Sequence, residues 1–551
     1  MFSRVGMASK RVAFNAAAIS RKPLITKTAK FSTTKVTRAP ASGFVKFAKN
    51  AWKATWISAL LGVGYLGYSI YDESKPKANQ VKHSELTPSG NKKKNLVILG
   101  SGWGSISLLK NLDTTLYNVT IISPRNYFLF TPLLPSVPTG TVDLKSIVEP
   151  VRTITRRSNG EVIYIEAEAT SIDPATKTIT YKHTKDHEGN PVDSRFETSI
   201  SYDYLVVGVG AKVGTFGTPG VDKHACFLKE GYDSTKIRRK LLDCIEQANL
   251  LPEDDPERKR LLTTIVVGGG PTGVELAGEL QDYVEQDLSR WVPTIAPQIK
   301  VTLLEAMPKI LAMFDKTLID YAAQILAESN IDLQTNTMVK KVDETNVYAS
   351  VKQADGSSKM VTLPYGLLVW ATGNATREVI TDLFKKIPEQ ANARRGLLLD
   401  DYLKVQGSDD IYALGDCTFT KYAPTAQVAH QEGVYLAELF HNLAKVDELK
   451  FELSKSVLDT EKTNKLNRKL TRASKLEPFK YVHFGALAYI GSEKAIADLT
   501  WKDWQTFQSG GLFTYIFWKT AYVSMCLSVR NKVLVCVDWS KTAIFGRDTS
   551  N

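Results

Sequence analysis

The sequence predicts an α/β protein with two dinucleotide-binding folds and a C-terminal region of amphipathic helices. Two glycine-rich turns, each placed between an apolar strand and a helical pattern, predict the two folds. Aromatic residues interspersed with lysine and arginine after residue 512 predict the amphipathic helices, whose apolar faces and basic edges suit in-plane membrane binding. With 551 residues, the chain is long enough for two or three domains of roughly 100–200 residues each.

Charge is distributed unevenly along the chain. The formal net charge is +12, but residues 1–53 hold twelve Lys and Arg with no Asp or Glu, and the remainder has equal numbers of basic and acidic residues. A basic, acid-free leader is typical of a mitochondrial targeting presequence, and the neutral body argues against nucleic-acid binding. The five cysteines include no CxxC pair, which argues against a disulfide scaffold and a zinc ribbon. No metal site is predicted.

Residues 54–71 form an uncharged stretch after the leader. At ~1.5 Å per residue they reach ~27 Å, so they are a possible transmembrane or sorting segment. A buried helix and a part of the cleaved presequence are the alternatives. The flanking charges are Lys46, Lys49 and Lys53 before the stretch and Asp72 and Glu73 after it. The positive-inside rule then favours an N-terminus in the matrix and a body in the intermembrane space.

The first glycine turn follows the apolar run Asn95–Leu99. Gly100 permits a tight turn, and Gly102 lets a pyrophosphate approach the backbone at the start of the next helix. Ser105 stands where a third glycine is usual, and the next strand runs into Arg125 with no acid at its end. The predicted cofactor-binding residues of this turn are Gly100, Ser101, Gly102, Trp103 and Gly104.

The second glycine turn matches G-x-G-x-x-G at Gly268, Gly270 and Gly273, and a long helix is predicted over residues 272–291. The following strand ends at Glu305. A carboxylate there can accept both ribose hydroxyls of an adenosine and repels a 2′-phosphate, which favours NADH. Because the two strand ends differ, the two folds are predicted to hold different nucleotides, one FAD and the other NADH.

Two later strands also end in residues suited to a cofactor. Residues 367–373 form an apolar run that ends at Gly373, and residues 411–416 place Asp416 after a strand and a glycine. Both are weak signals alone, but their order after two glycine turns strengthens the prediction of a two-nucleotide enzyme.

The motifs together resemble the two-dinucleotide-binding-domain flavoproteins, which have a glutathione-reductase-like arrangement of Rossmann-like domains. More narrowly they resemble the fungal alternative (type II) NADH:ubiquinone oxidoreductases of mitochondria, in particular the external form. The segments that carry the resemblance are GSGWGSISLLK (100–110), PRNYFLFTPLLP (124–135), GGGPTGVELAGEL (268–280), WATGNAT (370–376), LGDC (414–417), AQVAHQ (426–431) and FGALAYIG (484–491). The resemblance covers about residues 95–545. It implies non-covalent FAD, NADH as substrate, ubiquinone as acceptor, attachment to the inner-membrane lipid surface and a homodimer.

The resemblance also implies roles for particular residues. Asp416 resembles an acid that hydrogen-bonds FAD, and Lys480 resembles a cation near the flavin. Gln427 and Gln431, four residues apart on one helical face, resemble the quinone end of the site, although two solvent-facing glutamines remain an alternative. The two remaining candidates are Glu275, which lies near the flavin or only complements the helix dipole, and Tyr522, which matches a tyrosine of the quinone tunnel.

The sequence leaves rival functions open. The cysteines show no redox-pair motif, so electrons are expected to leave the flavin directly and a sulfide:quinone oxidoreductase ranks lower. A matrix-facing NADH dehydrogenase and an apoptosis-inducing-factor-like binding flavoprotein also stay open. One possible span cannot build a proton channel, so no proton pumping is expected.

The predicted domains follow the motifs. They are the presequence (1–53), the possible span (54–71), a linker (72–94), the FAD-binding domain in two parts (95–255 and 365–478), the NADH-binding domain (256–364) and the membrane-anchoring and quinone-site region (479–551).

Overall fold

The computed structural model describes most of the chain after residue 61. The described residues are 62, 64–183, 190, 197–456, 460–501 and 504–550. The predicted presequence and most of the predicted span at residues 54–71 lie outside them. Residues 64–73 are helical. Within the described ranges, no helix has both the length and the apolar character needed to cross a membrane.

Five parallel strands form the first sheet. Their order is Ile411–Ala413, Tyr204–Val207, Asn95–Leu99, Asn118–Ile122 and Val162–Ile165. The central strand is buried from Leu96 to Leu99, as expected for a parallel sheet covered on both faces. The helix Trp103–Asn111, called here the first glycine-loop helix, follows this strand through the first glycine turn.

The second sheet repeats this arrangement. Its parallel strands are, in order, Cys226–Phe227, Leu367–Trp370, Thr263–Val267, Lys300–Leu304 and Asp332–Gln334. The helix Pro271–Tyr283, the second glycine-loop helix, follows the central strand and continues through a π turn, Val284–Leu288, into Ser289–Trp291. The helix predicted over 272–291 is therefore confirmed, and so is the fold class of two Rossmann-like units.

The second sheet extends beyond residues 256–364, the range predicted for the NADH-binding domain. Cys226–Phe227 pairs with Leu367–Trp370, which pairs with Thr263–Val267. Along the chain, Leu367–Trp370 is the last strand of this sheet, because an antiparallel sheet over residues 337–364 is inserted before it. The predicted domain boundaries stay predictions.

Smaller sheets and the remaining helices surround these two units. The three-stranded antiparallel sheets are Glu168–Asp173, Thr178–Lys182 and Glu197–Ser201; Thr337–Val342, Asn346–Lys352 and Ser358–Pro364; and Ala486–Tyr489, Ala495–Trp501 and Trp504–Gly511. The two-stranded pairs are Tyr127–Leu129 with Val148–Pro150, Lys212–Val213 with Asn374–Ala375, and Leu397–Leu398 with Thr418–Phe419. The other α-helices include Val151–Arg156, Val221–His224, Gly231–Asn249, Pro256–Leu261, Lys316–Glu328, Glu378–Lys386 and Thr460–Ala473. Short 3₁₀ turns are Thr131–Ser136, Leu144–Ser146, Ala296–Gln298, Pro388–Gln390 and Gly415–Cys417.

The helix Ala426–Lys455, called here the long helix, packs directly on the first glycine-loop helix. The Thr425 hydroxyl accepts the Val428 N–H at 3.3 Å and caps its start. A Cβ added at Gly433 would overlap the carbonyl oxygen of Gly104. The two backbones therefore touch where neither helix has a side chain, and this contact fixes the first glycine turn against the long helix.

Two helices near the end of the chain, Leu512–Met525 and Val529–Phe545, form what we call the C-terminal hairpin. Trp518, Tyr522 and Val535 face the core and are buried. Large apolar side chains are exposed on the other side: Leu512, Phe513, Ile516, Phe517, Met525, Val537, Ile544 and Phe545. This confirms the predicted C-terminal helices, which carry apolar side chains on the exposed side as well as on the buried side.

The contact between the two helices predicts the effect of Gly433→Ala. The added methyl group has to displace the Gly104 carbonyl, so we expect the free energy of unfolding to fall by about 1–3 kcal/mol, together with weaker cofactor retention. Urea unfolding checks the first effect. Gly67→Ala is the matched control, because a Cβ at Gly67 meets nothing within 4 Å. Equal unfolding of the two variants would contradict the packing argument.

Candidate active site

A cavity of about 580 Å³ opens at the carboxyl ends of the first sheet, where parallel α/β sheets bind their ligands. Eight of the predicted cofactor-binding residues line it: Gly100, Ser101, Gly102, Trp103, Gly104, Gly270, Gly373 and Asp416. The lining joins the first glycine turn to the start of the second glycine-loop helix at Gly270, Pro271 and Thr272. Gly268, Gly273 and Glu305 lie outside the lining.

The first glycine turn leaves a helix N-terminus free to bind an anion. Gly100 has φ +97°, and a Cβ there would overlap the carbonyl of Gly208, so only glycine fits. Gly102 caps the helix without any side-chain hydrogen bond. The first amides of the helix therefore remain available for a pyrophosphate. The Ser101 hydroxyl is bound to the neighbouring turn, at 2.9 Å from the Arg125 carbonyl.

Ser105, in place of the usual third glycine, is accommodated by a glycine elsewhere. A Cβ added at Gly208 would overlap the Ser105 hydroxyl oxygen, which itself lies 3.4 Å from the Leu99 carbonyl. The close approach of helix and strand therefore depends on Gly208 at the strand end, and not on a third glycine at position 105 in the helix. Gly208 was not among the predicted site residues, although the small residues that end its strand were a usable signal.

Arg125, Lys229 and Glu230, which were not among the predicted site residues, also line the cavity. Arg125 forms an ion pair with Glu230 at 2.9 Å, and its buried Nε atom has no hydrogen-bond partner. Asp416 lies 3.5 Å from the Lys229 ammonium, which also donates to Asn374. The residues present fit FAD: the helix N-terminus suits its pyrophosphate, and the unpartnered Arg125 Nε remains available to an acceptor.

Glu432 supports Asp416 from beneath the cavity. It is 1% exposed and accepts the Gly415 N–H at 2.7 Å, which fixes the turn that carries Asp416. Burial raises the pKa of Glu432 to about 7. This positioning group was missed, because nothing local in the sequence links it to the turn.

The second glycine turn has the geometry that its motif predicts. Gly268 has φ +121°, and a Cβ at Gly273 would overlap the Gly268 carbonyl. Gly270 begins the helix with no side-chain cap and with open space around it. The Glu305 carboxylate accepts the Gly269 N–H at 2.6 Å and the Met307 N–H at 2.7 Å. It is thereby held at the strand end, beside the loop.

Glu275 lies in the second glycine-loop helix beneath this turn. It is 6% exposed, and it accepts the Tyr489 N–H at 3.2 Å. Burial raises its pKa to about 8, and the nearby Glu279 adds to the rise. The carboxyl therefore holds a proton at neutral pH. Tyr522 is buried nearby, with its ring 4.5 Å from that of Trp518.

Gln427 and Gln431 share one face of the long helix, and both hold the segment that leads into the last antiparallel sheet. Gln427 donates to the Gly485 carbonyl at 2.8 Å. Gln431 both donates to Val482 and accepts its N–H, at 2.8 and 2.9 Å. Both side chains are half-buried, and their role at the quinone stays a prediction. Lys480, just before this segment, is exposed and outside the cavity lining.

All five cysteines are free thiols. Cys226, Cys244, Cys417 and Cys526 are buried, and Cys536 is exposed. Burial raises the pKa of Cys417 to about 12, which makes its thiol unreactive at neutral pH. None of the five cysteines is among the residues that line the cavity.

Known families and structures match both parts of the chain. Residues 94–433 match the pyridine nucleotide-disulphide oxidoreductase family, and residues 483–548 match the NDH2 C-terminal domain. An external alternative NADH-ubiquinone oxidoreductase from Yarrowia lipolytica is 50% identical over 520 residues, covering 92% of this chain and 87% of the relative. External NADH-ubiquinone oxidoreductase 2 from Saccharomyces cerevisiae is 51% identical, covering 94% and 93%. The structure of NDH2 from Plasmodium falciparum in complex with NADH has a TM-score of 0.72 at 30% identity, covering 84% of this chain and 100% of that chain.

The raised pKa of Glu275 predicts a pH-dependent stability. Between roughly pH 4.5 and 8 the folded protein keeps a proton on Glu275 that the unfolded chain loses, so this group lowers stability as the pH rises. Glu275→Gln removes the effect and should raise the free energy of unfolding at pH 8 by about 2 kcal/mol or more. Urea unfolding at pH 5 and pH 8 measures it. Glu285→Gln is the control, because Glu285 is exposed. A decline with pH that is equally steep in wild type and Glu275→Gln would contradict the burial argument.

Proposed function

The chain belongs to the pyridine nucleotide-disulphide oxidoreductases and, within them, to the NDH2 branch of mitochondrial NADH-ubiquinone oxidoreductases. From this premise we propose that it oxidises NADH and reduces ubiquinone through bound FAD, without pumping protons. It is a mitochondrial flavoenzyme. The observation that carries the proposal is the shared cavity, whose wall joins the first glycine turn to the first residues of the second glycine-loop helix.

Each glycine turn has a separate task in this proposal. The first turn binds the FAD pyrophosphate at its uncapped helix N-terminus, with Asp416 and Gly373 along the cofactor. The second turn binds NADH, and Glu305 accepts its ribose hydroxyls. FAD, when bound, supplies the hydride acceptor and passes the electrons to the quinone. The protein contributes position and electrostatics.

Electrons leave the cavity directly to the quinone. No cysteine lines the cavity, which favours this exit over the disulfide chemistry of a sulfide:quinone oxidoreductase. Glu275 donates a proton near the quinone, while Gln427 and Gln431 hold the segment 481–485 in place. Tyr522 lines the quinone path in this proposal. Lys480 stays a candidate cation at its mouth, although the described contacts of the chain give it no partner.

The exposed apolar face of the C-terminal hairpin is the proposed contact with the lipid surface. Phe513, Ile544 and Phe545 expose 88%, 72% and 76% of their surfaces, and basic residues flank them, as in helices that lie in the membrane interface. Ubiquinone is itself apolar, so an enzyme docked here can collect it from the bilayer. We propose a homodimer, which light scattering of the detergent-solubilised enzyme tests. The mass of a single chain would contradict it.

We place the enzyme on the outer face of the inner membrane. The relatives from Yarrowia and Saccharomyces are named external enzymes. The acid-free leader followed by the uncharged residues 54–71 can direct the body to the intermembrane space. A matrix-facing enzyme is the alternative outcome.

Isolated mitochondria that carry or lack this protein test both reaction and side. Intact mitochondria should oxidise added NADH and reduce ubiquinone through it, because NADH does not cross the inner membrane. Protease should reach the body once the outer membrane is opened. Oxidation that appears only after the inner membrane is ruptured would contradict the outer-face assignment. Absence of NADH-dependent quinone reduction in ruptured mitochondria would contradict the function.

Glu305→Gln should relax the preference for NADH over NADPH. The neutral amide no longer repels a 2′-phosphate, and one missing repulsion of this kind changes the ratio of kcat/KM values by roughly tenfold. Steady-state rates with both nucleotides measure the ratio. Asp332→Asn is the control, because Asp332 begins the neighbouring strand Asp332–Gln334 and is paired with Lys300. Equal use of NADH and NADPH by the wild type would contradict the role of Glu305.

Gln431→Ala removes the two hydrogen bonds that hold Val482 in the segment 481–485. Because a small displacement at a reaction site slows a reaction strongly, quinone reduction should become at least about tenfold slower. Reduction of the flavin by NADH should stay fast. Stopped-flow spectroscopy separates the two half-reactions. His441→Ala is the control on the same helix, since His441 is exposed. A variant that is slow only in flavin reduction would reverse the assignment.

A further inference from the structure

A row of carboxyl groups follows the buried face of the second glycine-loop helix. Glu275, Glu279 and Asp282 are spaced four and three residues apart, so they share one face of the helix. Their exposed fractions are 6%, 3% and 1%. A buried carboxylate is costly unless it is paired and hydrogen-bonded. The partners of the row therefore decide which of its members carry a charge.

Arg547 is buried against this row although it belongs to the end of the chain. It lies just beyond the C-terminal hairpin and is 8% exposed. Its guanidinium donates to Asp287 at 2.9 Å and lies 3.8 Å from Glu279. Its Nε donates to the Thr141 hydroxyl at 2.7 Å, and that hydroxyl donates to Glu279 at 2.6 Å. Arg547 thus reaches Glu279 both directly and through Thr141.

The π turn Val284–Leu288 helps to create this arrangement. Its hydrogen bonds span five residues instead of four, so the helix turns less per residue there. Asp287 consequently comes to the side of Glu279, and the two acids share Arg547 as a partner. The backbone N–H of Arg547 also donates to Asp287 at 2.9 Å, which anchors the tail on the helix.

The partners distinguish Glu279 from Glu275. Glu279 accepts the Thr139 hydroxyl at 3.2 Å and the Thr141 hydroxyl at 2.6 Å beside the Arg547 guanidinium, and such partners stabilise a carboxylate. The described hydrogen bond of Glu275 is one backbone N–H. Burial raises the pKa of Glu275, and Glu279 one turn away adds to the rise.

Other elements also present titratable groups to the row. These groups are Tyr489 on the last antiparallel sheet and Tyr515, Lys519 and Tyr522 on the C-terminal hairpin. The Tyr489 hydroxyl bonds Asp282, whose pKa burial raises to about 6. Burial lowers the pKa of Lys519, whose ammonium lies 4.5 Å from the Tyr515 ring centre. Arg547 is therefore the cation in closest contact with Glu279.

We propose that Arg547 is a positioning residue for proton delivery to the quinone: through its pairing with Glu279 it sets the charge beside the buried Glu275, which keeps its proton until the quinone accepts it. The inference rests on the proposed function, which places Glu275 at the quinone. Reduction of ubiquinone takes two electrons, which NADH supplies, and two protons. One proton arrives with the hydride that NADH gives up. For the other, the O–H bond of Glu275 breaks as an O–H bond forms on the quinone, and the carboxylate then regains a proton from solvent.

The quinone half-reaction of the holoenzyme tests the proposal. The enzyme is reduced by NADH without oxygen and mixed with a short-chain ubiquinone between pH 6 and 10. The rate should fall at alkaline pH as Glu275 loses its proton. Glu279→Gln should move the midpoint of this fall down by about one pH unit, because it removes a negative charge near Glu275. Arg547→Met should move it in the same direction, because it removes the cation that Glu279 is paired with, so that Glu279 can take up a proton. Arg547→Lys keeps a positive charge, so its midpoint should lie close to that of the wild type.

Arg238→Met is the matched structural control. Arg238 donates to the carbonyls of Asp548 and Ser550 at 2.7 and 2.9 Å, so it holds the same tail without touching the carboxyl row. Its midpoint should stay in place. A shift in Arg238→Met equal to that in Arg547→Met, or an unmoved midpoint in Glu279→Gln, would overturn the proposal.

A second measurement does not depend on quinone turnover. The infrared band of the protonated Glu275 carboxyl, identified by its loss in Glu275→Gln, is titrated in the resting holoenzyme. It should disappear about one pH unit lower in Glu279→Gln than in the wild type, and Arg547→Met should move it in the same direction. If the wild type reduces no quinone, the proposed function fails, while this titration still decides whether Arg547 and Glu279 control the proton on Glu275. Identical titrations in wild type and both variants would overturn the inference.

Discussion

Both nucleotide turns depend on backbone segments that approach each other more closely than a side chain would allow. Gly100 lies against Gly208, and Gly273 against Gly268, in positions where a Cβ would overlap a carbonyl oxygen. Each turn consequently ends in a helix N-terminus, at Gly102 and Gly270, that no side chain caps. The uncapped amides are what an anionic cofactor binds. The close packing therefore converts two common strand–turn–helix units into two phosphate cradles.

The parts of the fold that sequence analysis predicted are those in which cause and effect lie close together along the chain. The strand before Gly268, the glycine turn itself and the helix after it are all specified within a few residues. Distant contacts left no such signal. The hydrogen bond from Gly415 to Glu432 and the ion pair between Asp287 and Arg547 join residues 17 and 260 positions apart, and the folded chain alone brings them together.

Burial gives several acids a proton affinity that the sequence alone could not show. Burial raises the pKa values of Glu275, Asp282 and Glu432 to about 8, 6 and 7. Each group lowers the stability of the folded protein at a pH above its ordinary pKa, so a contribution to stability does not explain why these acids are buried. Proton-donating acids in a water-poor site are what quinone reduction needs, and strongly perturbed carboxyls are found most often at such functional sites.

The C-terminal hairpin links the two environments that the proposed reaction requires. Phe513 and Phe545 are exposed on its outer side, whereas Trp518 and Tyr522 are buried on its inner side, toward Glu275. The chain then returns through Arg547 to the carboxyl row. In this arrangement an apolar acceptor arrives from the outer face while the charges that govern its proton stay behind the inner face. If the hairpin docks on lipid as proposed, this one helical layer separates the carboxyl row from the lipid and still lies beside the substrate that the lipid supplies.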